Sequence, residues 1–312
     1  MLGANDLGAT LVILNPRAGP APLQRSLPDR VGASLRAHGV AADLHLTRGV
    51  GDATDVAREA GARGYQRVVV AGGDGTVNEA VVGLAGGSVP LGIVPVGTVN
   101  ALAQNIGLQS GDVQTACRAV ARGCVRRLDL GYLGGRPFAN MAGVGLDALI
   151  VQDAVGPAKT VFGPYAFVGI GLAHLARREQ WRYEAVLDGR HLEGEMWLLL
   201  VSNSPRYTWR LVLCPQAAPD DGFLEYTFIG GCSRSEFLRI VMDTMGLGKP
   251  ASGSPYVTTH QGRHLVLNCD PPAPWQVDGE LGGLTPVECV TRAGALPVIV
   301  PAEQIPDGDG EP

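Results

Sequence analysis

The chain has 312 residues, of which 46% are hydrophobic and 18% are charged, so it has room for two ordinary globular domains. A net charge of −5 without any dense basic run argues against a nucleic-acid-binding protein. Its six cysteines are scattered, no basic leader precedes the first apolar run, and no segment supplies the roughly 18 uninterrupted apolar residues of a membrane span. We therefore expect a cytoplasmic protein without a transmembrane segment.

The first 106 residues alternate between strand and helix patterns. Apolar runs predict strands over 10–14, 68–70 and 90–94, and a further strand is predicted over 42–46. Helical spacing predicts helices over 22–38, 52–62 and 77–84 and one through Leu102 and Ile106. Short loops between these elements indicate a parallel sheet with helices on both faces. Such sheets bind ligands beyond the carboxyl ends of their strands, where Asn15, Thr47, Asp74 and Thr98 fall.

The central loop of this half has three glycines around one aspartate, between the strand at Val68–Val70 and a helix. Glycines allow a phosphate to approach the backbone closely, and the following helix N-terminus attracts an anion. Asp74 would repel that phosphate unless a divalent cation lay between them, so the loop predicts a Mg-nucleotide site. A tight turn without function is the alternative, because no P-loop lysine motif is present and the only lysines are Lys159 and Lys249.

Beyond residue 125 the pattern changes to short strands separated by Gly, Pro and Asp turns. Strands are predicted over 127–133, 183–187, 195–201, 211–214, 223–229, 257–259, 264–268, 275–277 and 286–291, with helices near 161–178 and 235–245. This density of strands indicates an antiparallel β-sandwich. We expect an α/β domain over 1–125, a sandwich domain over 126–302 whose last strand may return to the first domain, and a disordered tail over 303–312.

Several motifs occur together in a fixed order. They are Asn15-Pro16-x-x-Gly19, Gly72-Gly73-Asp74-Gly75-Thr76-x-Asn78-Glu79, Pro95-x-Gly97-Thr98-x-Asn100, Asp220-Asp221-Gly222 and Asp278-Gly279-Glu280. In this combination the chain resembles the diacylglycerol kinase catalytic-domain family, on its bacterial lipid-kinase branch, which is related to sphingosine and ceramide kinases. The resemblance implies a phosphofructokinase-like α/β domain followed by a β-sandwich domain, with ATP in the cleft between them.

The resemblance also implies roles for particular residues. The positions matching the nucleotide site are Asn15, Thr47, Gly72, Gly73, Asp74, Gly75, Thr76, Val77, Asn78, Gly97, Thr98 and Asn100. Asp221 would bind Mg²⁺ together with the main-chain carbonyls of Ala218 and Phe223. Glu280 matches the proton acceptor and has Asp278 beside it; together with Asp74 these form the expected catalytic set.

The acidic turns also have simpler readings. Asp278-Gly279-Glu280 is a common hairpin-turn sequence, and Asp220-Asp221-Gly222 is a common plain turn. If residues 275–280 were extended, Asp278 and Glu280 would point to the same face. Spacing alone does not decide which of these two carboxylates is the base.

The resulting expectation is an ATP- and Mg²⁺-dependent kinase that transfers the γ-phosphate to a lipid hydroxyl at the membrane surface. The lipid could be diacylglycerol-like, phosphatidylglycerol or sphingoid. A homodimer is one possible assembly. The apolar segment 161–175 would either line an acyl pocket, touch the bilayer or pack on the sandwich. A NAD kinase-like enzyme is one alternative. A nucleotide- or lipid-binding module with reduced catalysis is another, favoured by Ala101, since many bacterial relatives have Asp at this position.

Overall fold

In the computed structural model, residues 8–20, 24–153, 164–177, 180–205, 214–244 and 254–302 are described, with only the backbone described for 164–168. The strand predicted over 211–214 and the disordered tail predicted from 303 fall largely or wholly outside these ranges. The chain divides into two compact units. One comprises the residues up to Leu128 and those from Gly294 onward, and the other comprises Asp129–Ala293.

The first unit is an α/β domain. Its elements are β1 (Thr10–Leu14), α1 (Leu27–Ala37), β2 (Ala42–Leu46), α2 (Asp52–Glu59), β3 (Arg67–Gly72), α3 (Asp74–Leu84), β4 (Leu91–Pro95), α4 (Ala101–Asn105), α5 (Val113–Arg122) and the C-terminal end of β16 (Val287–Val300). The strands lie in the order β2, β1, β3, β4, β16, and each pairs in parallel with its neighbour. The parallel sheet predicted from the alternating pattern is therefore confirmed.

The centre of this sheet is buried because its middle strands are apolar on both faces. Val68, Val69 and Val70 of β3 are fully buried, as are Ile13 and Ile93 on the strands beside it. Helices α1 and α5 pack together, and so do α2 and α3. The second pair approaches closely at Gly83, where an added Cβ would lie 2.4 Å from a main-chain oxygen of α2. Close packing of this kind keeps α3, which begins at the glycine-rich loop, in a defined position.

The second unit consists of antiparallel sheets with three helices among its described residues. Its elements are β5 (Cys124–Leu133), β6 (Arg136–Phe138), β7 (Met141–Gly145), α6 (Leu146–Asp153), α7 (Pro164–Arg177), β8 (Trp181–Leu187), β9 (Arg190–Met196), β10 (Leu198–Ser202), β11 (Leu224–Ile229), α8 (Arg234–Met242), β12 (Val257–Gly262), β13 (His264–Asp270), β14 (Pro274–Val277), β15 (Glu280–Leu284) and the N-terminal part of β16.

Two sheets enclose the core of this unit. One has the order β12, β11, β10, β7, β14, β15, and the other pairs the start of β16 with β13, β8 and β9. Side chains from both meet in the interior, where the rings of Tyr183 and Phe228 stack at 4.6 Å. The predicted α/β plus β-sandwich fold is confirmed.

The structure corrects several element predictions. The strand predicted over 195–201 is two strands, because Trp197 separates β9 from β10. The strand predicted over 286–291 extends to Val300. Helices α5 and α6 were not predicted. In α6 the apolar residues are not confined to one face of the helix, so the sequence shows no clear helical stripe.

Within the described ranges, no helix combines the length and the apolar character needed to cross a bilayer.

Candidate functional site

Loops that follow four parallel strands line one cleft in the first unit. Its volume is ≈ 480 Å³. The lining residues are Asn15, Pro16, Arg17, Ala18, Thr47, Arg48, Gly49, Val50, Gly73, Gly75, Thr76, Glu79 and Gly97. Half of the predicted nucleotide-binding set is thus brought together: Asn15, Thr47, Gly73, Gly75, Thr76 and Gly97.

Hydrogen bonds fix the first loop to the glycine-rich turn and the second loop to the end of β1. The Asn15 side-chain amide donates to Thr76 Oγ1 at 3.1 Å, and its oxygen accepts the Arg17 N–H at 2.9 Å. The Thr47 N–H donates to the carbonyl of Leu14 at 2.9 Å. Asn15 therefore joins the end of β1 to the first turn of α3, and its position is set by local bonding.

Two glycines allow the third and fourth loops to approach closely. A Cβ added to Gly97 would lie 2.5 Å from the Cα of Gly73. Real Cβ atoms do not come this close to a backbone atom, so only glycine fits at Gly97 while the loop after β4 keeps this position.

The carboxylate of Asp74 holds the loop after β4. One of its oxygens accepts the N–H of Asn100 at 2.8 Å, and the other accepts the N–H of Ala101 at 2.7 Å. These N–H groups begin the short helix α4, so Asp74 caps α4 from α3. The structure thereby shows a positioning role for Asp74, while its predicted role with a cation stays a prediction.

The remaining predicted residues of this set are outside the lining of the cleft. Val77 is 3% exposed and its N–H bonds the carbonyl of Gly73 within the helix, so its side chain contributes to packing. Asn100 is buried with φ of 54°, and its side-chain amide donates to the Gly97 carbonyl at 2.8 Å. Gly72, Asp74, Asn78 and Thr98 are likewise outside the lining.

Two charged residues of the cleft were missed by the sequence reasoning. Arg48 lies on the loop after β2, and Glu79 lies on the second turn of α3. The Glu79 carboxylate accepts the N–H of Ala53 at 3.1 Å and so fixes the start of α2. Glu79 belongs to the glycine-rich motif, and its position there was the available signal.

A hydrogen-bonded His45–Asp52 pair supports the cleft wall that carries Thr47 and Arg48. The imidazole of His45 lies 2.9 Å from the carboxylate of Asp52, which also accepts the Arg48 N–H at 2.9 Å. The hydrogen bond from His45, followed by that from Arg48, lowers the pKa of Asp52. This carboxylate is therefore held in the ionised form at the start of α2.

In the second unit, Asp278-Gly279 is the turn of a two-residue hairpin between β14 and β15. Val277 pairs with Glu280 across the turn, and both turn residues have positive φ, 44° and 87°. The hairpin reading is therefore confirmed. The extended reading, which would place Asp278 and Glu280 on one face, is wrong because the chain reverses between them.

The two carboxylates of this turn have different environments. Asp278 accepts the N–H groups of Ala139 and Met141 at 3.0 Å and of Asn140 at 3.3 Å. Glu280 is about half exposed and lies 2.6 Å from a guanidinium nitrogen of Arg136. Asp278 thus holds the backbone of residues 139–141 in place, whereas the Glu280 carboxylate is accessible and is oriented by the guanidinium group of Arg136.

The third acidic turn is held by a buried aspartate. Asp129 on β5 is 1% exposed, and its carboxylate accepts the Gly222 N–H at 2.6 Å. Asp221 is exposed, and its oxygens accept the Phe223 N–H at 2.9 Å and the Gln261 amide at 3.1 Å. Sequence reasoning missed Asp129, although a charge inside the apolar run Leu128–Leu130 was a usable signal.

Glu225 lies just beyond this turn and is buried. Burial raises the pKa of Glu225, and the negative charge of Asp221 raises it further. The turn is therefore a place where negative charges repel each other. No group of three or more His, Cys, Asp or Glu side chains with metal-site geometry occurs in the described parts of the chain. Any divalent cation held here would use main-chain oxygens and water beside Asp221.

Comparisons with known proteins agree on one family. The chain matches "Diacylglycerol kinase catalytic domain" over residues 9–133 and "YegS C-terminal NAD kinase beta sandwich-like domain" over residues 140–300. It is 30% identical over 301 residues to a diacylglycerol kinase of Bacillus subtilis (strain 168), covering 95% of this chain and 98% of that protein. It is 27% identical to a diacylglycerol kinase of Staphylococcus carnosus (strain TM300), covering 94% and 95%.

Solved structures share the fold across nearly the whole chain. One, titled as a diacylglycerol kinase from Bacillus anthracis str. Sterne, has a TM-score of 0.79 at 24% identity and covers 96% of this chain and 99% of its own. Another from the same organism has a TM-score of 0.82 at 23% identity, with coverage of 96% and 97%. The chain is therefore an enzyme of the kinase class that belongs to the diacylglycerol kinase catalytic-domain family, on its bacterial lipid-kinase branch.

Proposed function

We propose that this kinase transfers the γ-phosphate of ATP to the hydroxyl of a lipid, with Mg²⁺ as the metal. The observation that carries the proposal is the single cleft lined by the loops after β1, β2, β3 and β4. Ligands of parallel α/β sheets bind at this end of the strands.

The cleft offers the groups that phosphates need. Gly73 at the N-cap of α3 has no side chain with which to cap the first-turn N–H groups, which favours an anion at this end of the helix. Arg17 and Arg48 supply positive charge along the wall, where a P-loop enzyme would use a lysine. The hydrogen bonds of Asp74 and of the Asn100 side chain keep the loop after β4 in place.

The turn at Asp221 fits a Mg²⁺ ion. Mg²⁺ takes one or two carboxylates with carbonyls and water, and Asp221 with the carbonyls of Ala218 and Phe223 is a donor set of this kind. Burial is the main cause that raises the pKa of Glu225, and a cation at Asp221 would offset the second cause, the negative charge of Asp221. In phosphoryl transfer Mg²⁺ neutralises charge that develops on the phosphate oxygens.

Glu280 is proposed as the proton acceptor for the lipid hydroxyl. A general base needs an accessible carboxylate in a fixed position. Glu280 has both properties, because it begins β15 directly after the hairpin turn and is oriented by Arg136. Asp278 has the supporting role, since three backbone N–H groups occupy its carboxylate.

A lipid acceptor is favoured by exposed apolar side chains on the strand that Glu280 begins and on helix α7. Leu281 and Leu284 on the same strand are 44% and 60% exposed. Leu172 on α7 is 42% exposed, whereas Leu175 of that helix is buried in the core. Helix α7 thus packs on the sandwich and also leaves apolar surface in contact with solvent. We propose that these leucines contact the bilayer surface or an acyl chain.

The test is transfer of radiolabelled γ-phosphate from ATP, with Mg²⁺, to diacylglycerol, phosphatidylglycerol or sphingosine in mixed micelles, and separately to NAD. We expect the wild type to phosphorylate a lipid and the Glu280→Gln variant to lose about 10²-fold or more in kcat with little change in ATP affinity. Glu288→Gln is the matched control, because Glu288 is an exposed carboxylate of the same unit that pairs with His264.

Each contrary result points to a different conclusion. Transfer to NAD alone would replace the lipid kinase proposal with the NAD kinase alternative. Nucleotide binding without transfer to any acceptor would support the module with reduced catalysis. A Glu280→Gln variant that loses ATP binding instead of kcat would make Glu280 a nucleotide-positioning residue.

A further inference from the structure

A buried carboxylate outside the acidic turns lies beneath the hairpin that carries Glu280. Asp147, the second residue of α6, is only 5% exposed. It occupies space that a side chain at Gly143 of β7 would need, since an added Cβ there would lie 1.8 Å from an Asp147 carboxylate oxygen. Glycine at 143 therefore makes room for this charge. Charged groups are rarely buried without a specific partner.

One partner of Asp147 is the side-chain amide of Gln276. Gln276 of β14 is 2% exposed and lies opposite Gly143 in the sheet. Its amide nitrogen donates to the carboxylate of Asp147 at 2.6 Å. Because the amide nitrogen of Gln276 can only donate, this contact determines which end of the amide faces Asp147. The amide oxygen of Gln276 consequently faces the other way.

That oxygen reaches the hairpin turn. It accepts the N–H of Gly279 at 2.8 Å. Gly279 is the second turn residue, and Glu280 follows it directly. A continuous set of hydrogen bonds thus runs from Asp147 through Gln276 to the backbone N–H of Gly279, the residue before the proposed base. We call this set the turn brace.

We propose that Asp147 and Gln276 are positioning residues for Glu280, acting through the turn brace. This rests on the proposed lipid kinase function. A carboxylate that takes a proton during transfer must be held close to the reacting hydroxyl, and a displacement of about 1 Å can cost about 10²-fold in rate. Arg136 holds Glu280 from its side-chain end, and the turn brace holds its backbone end.

The test uses Gln276→Leu, which removes both bonds of the amide, and the milder Asp147→Asn, which keeps an oxygen facing Gln276. The matched control is Gln180→Leu. Gln180 also bridges a turn of the second unit, accepting the Gly231 N–H at 2.7 Å and donating to the Cys232 carbonyl at 3.0 Å. Each folded variant is assayed for kcat, for KM for ATP and for amide exchange at Gly279 by NMR.

For Gln276→Leu we expect Gly279 exchange about tenfold faster and kcat about tenfold to 10²-fold lower, with KM for ATP within about twofold of the wild type. Asp147→Asn should change kcat in the same direction by about threefold. Gln180→Leu should lower the melting temperature without changing kcat or exchange at Gly279.

Unchanged kcat in folded Gln276→Leu, or an equal loss in Gln180→Leu, would overturn the positioning role and leave the kinase proposal intact. If the wild type transfers phosphate to no lipid, the proposed function fails instead. Exchange at Gly279 would still establish whether the turn brace exists. If Gln276→Leu does not fold, Asp147→Asn decides, and unchanged kcat in that variant overturns the proposal.

Discussion

The dipeptide Asp-Gly occurs at two important turns, and it has opposite structural outcomes. Asp74-Gly75 starts helix α3, whereas Asp278-Gly279 reverses the chain between β14 and β15. The following residues account for the difference. Val77, Ala80 and Val81 place apolar groups at helical spacing, and all of them are buried. After Asp278-Gly279, the strand β15 pairs with β14 instead, and its glycines pack against Trp275.

Both aspartates nevertheless use their carboxylates in the same way. Asp74 accepts two backbone N–H groups of the loop after β4, and Asp278 accepts three from the segment 139–141. An aspartate within a motif can therefore serve as a clamp on a distant backbone segment, while neighbouring groups are the ones exposed to contact a ligand or substrate. In the first turn these are the glycine-rich backbone and the helix N-terminus, and in the second turn the group is Glu280.

The largest effect is expected for Asp278→Ala, which removes the acceptor of three N–H groups. Leaving them unsatisfied costs about 3 kcal/mol, and Ala also tolerates the positive φ of this position poorly. We expect the melting temperature to fall by roughly 10 °C and phosphate transfer to be lost, as measured by calorimetry and the micelle assay.

Asp278→Asn is the matched control, because Asn tolerates positive φ and keeps one acceptor oxygen. Its loss of stability should be about half as large. If both variants melted at the wild-type temperature but were inactive, Asp278 would act in catalysis directly, and the parallel with Asp74 would no longer hold.

The second prediction separates a clamp from a cation ligand at Asp74. Asp74→Ala frees the N–H groups of Asn100 and Ala101, so the loop after β4 loses its position. We expect kcat/KM for ATP to fall about 10²-fold, without recovery when the Mg²⁺ concentration is raised. Faster amide exchange at Ala101 should accompany the loss.

Recovery of Asp74→Ala at high Mg²⁺ would contradict the clamp as its main role. It would show instead that the carboxylate contributes to cation affinity, as the sequence alone predicted for the glycine-rich loop.

The strand-end residues were predictable because periodicity determines them. The strands at 10–14 and Val68–Val70 follow from apolar runs, and parallel packing then brings their ends to one edge of the sheet. Six of the twelve predicted nucleotide-site residues accordingly line one cleft. Glu280 was found only from its motif, since spacing gave no reason to prefer it to Asp278.

The supporting residues could not be found in this way. The bonds of Asp129 to Gly222 and of Gln276 to Gly279 join segments whose proximity depends on the completed sandwich. Each of these residues is a polar group in an apolar stretch, which signals a buried partner without identifying it. The chain reversal at Asp278 depends on the pairing of β14 with β15. From the sequence alone, a hairpin turn and an extended segment were both possible there.

The smallest effect is expected at a third Asp-Gly turn, Asp221-Gly222. Here the clamp on the backbone is a different residue, Asp129, and Asp221 itself stays accessible. This turn therefore separates the two roles that the other turns combine.

The raised pKa of Glu225, just beyond this turn, means that its ionised form is unfavourable in the folded protein. Stability from the protonated form is complete below the unfolded pKa and is lost as the pH rises through the folded one. Glu225→Gln should therefore melt a few degrees above the wild type at pH 7, and the difference should vanish towards pH 4. Mg²⁺ should raise the melting temperature of the wild type more than that of the variant, because part of the repulsion that the cation relieves is already gone. A lower melting temperature for Glu225→Gln at pH 7 would show that the ionised carboxylate is stabilised by its surroundings, and the argument for a cation at Asp221 would lose its electrostatic basis.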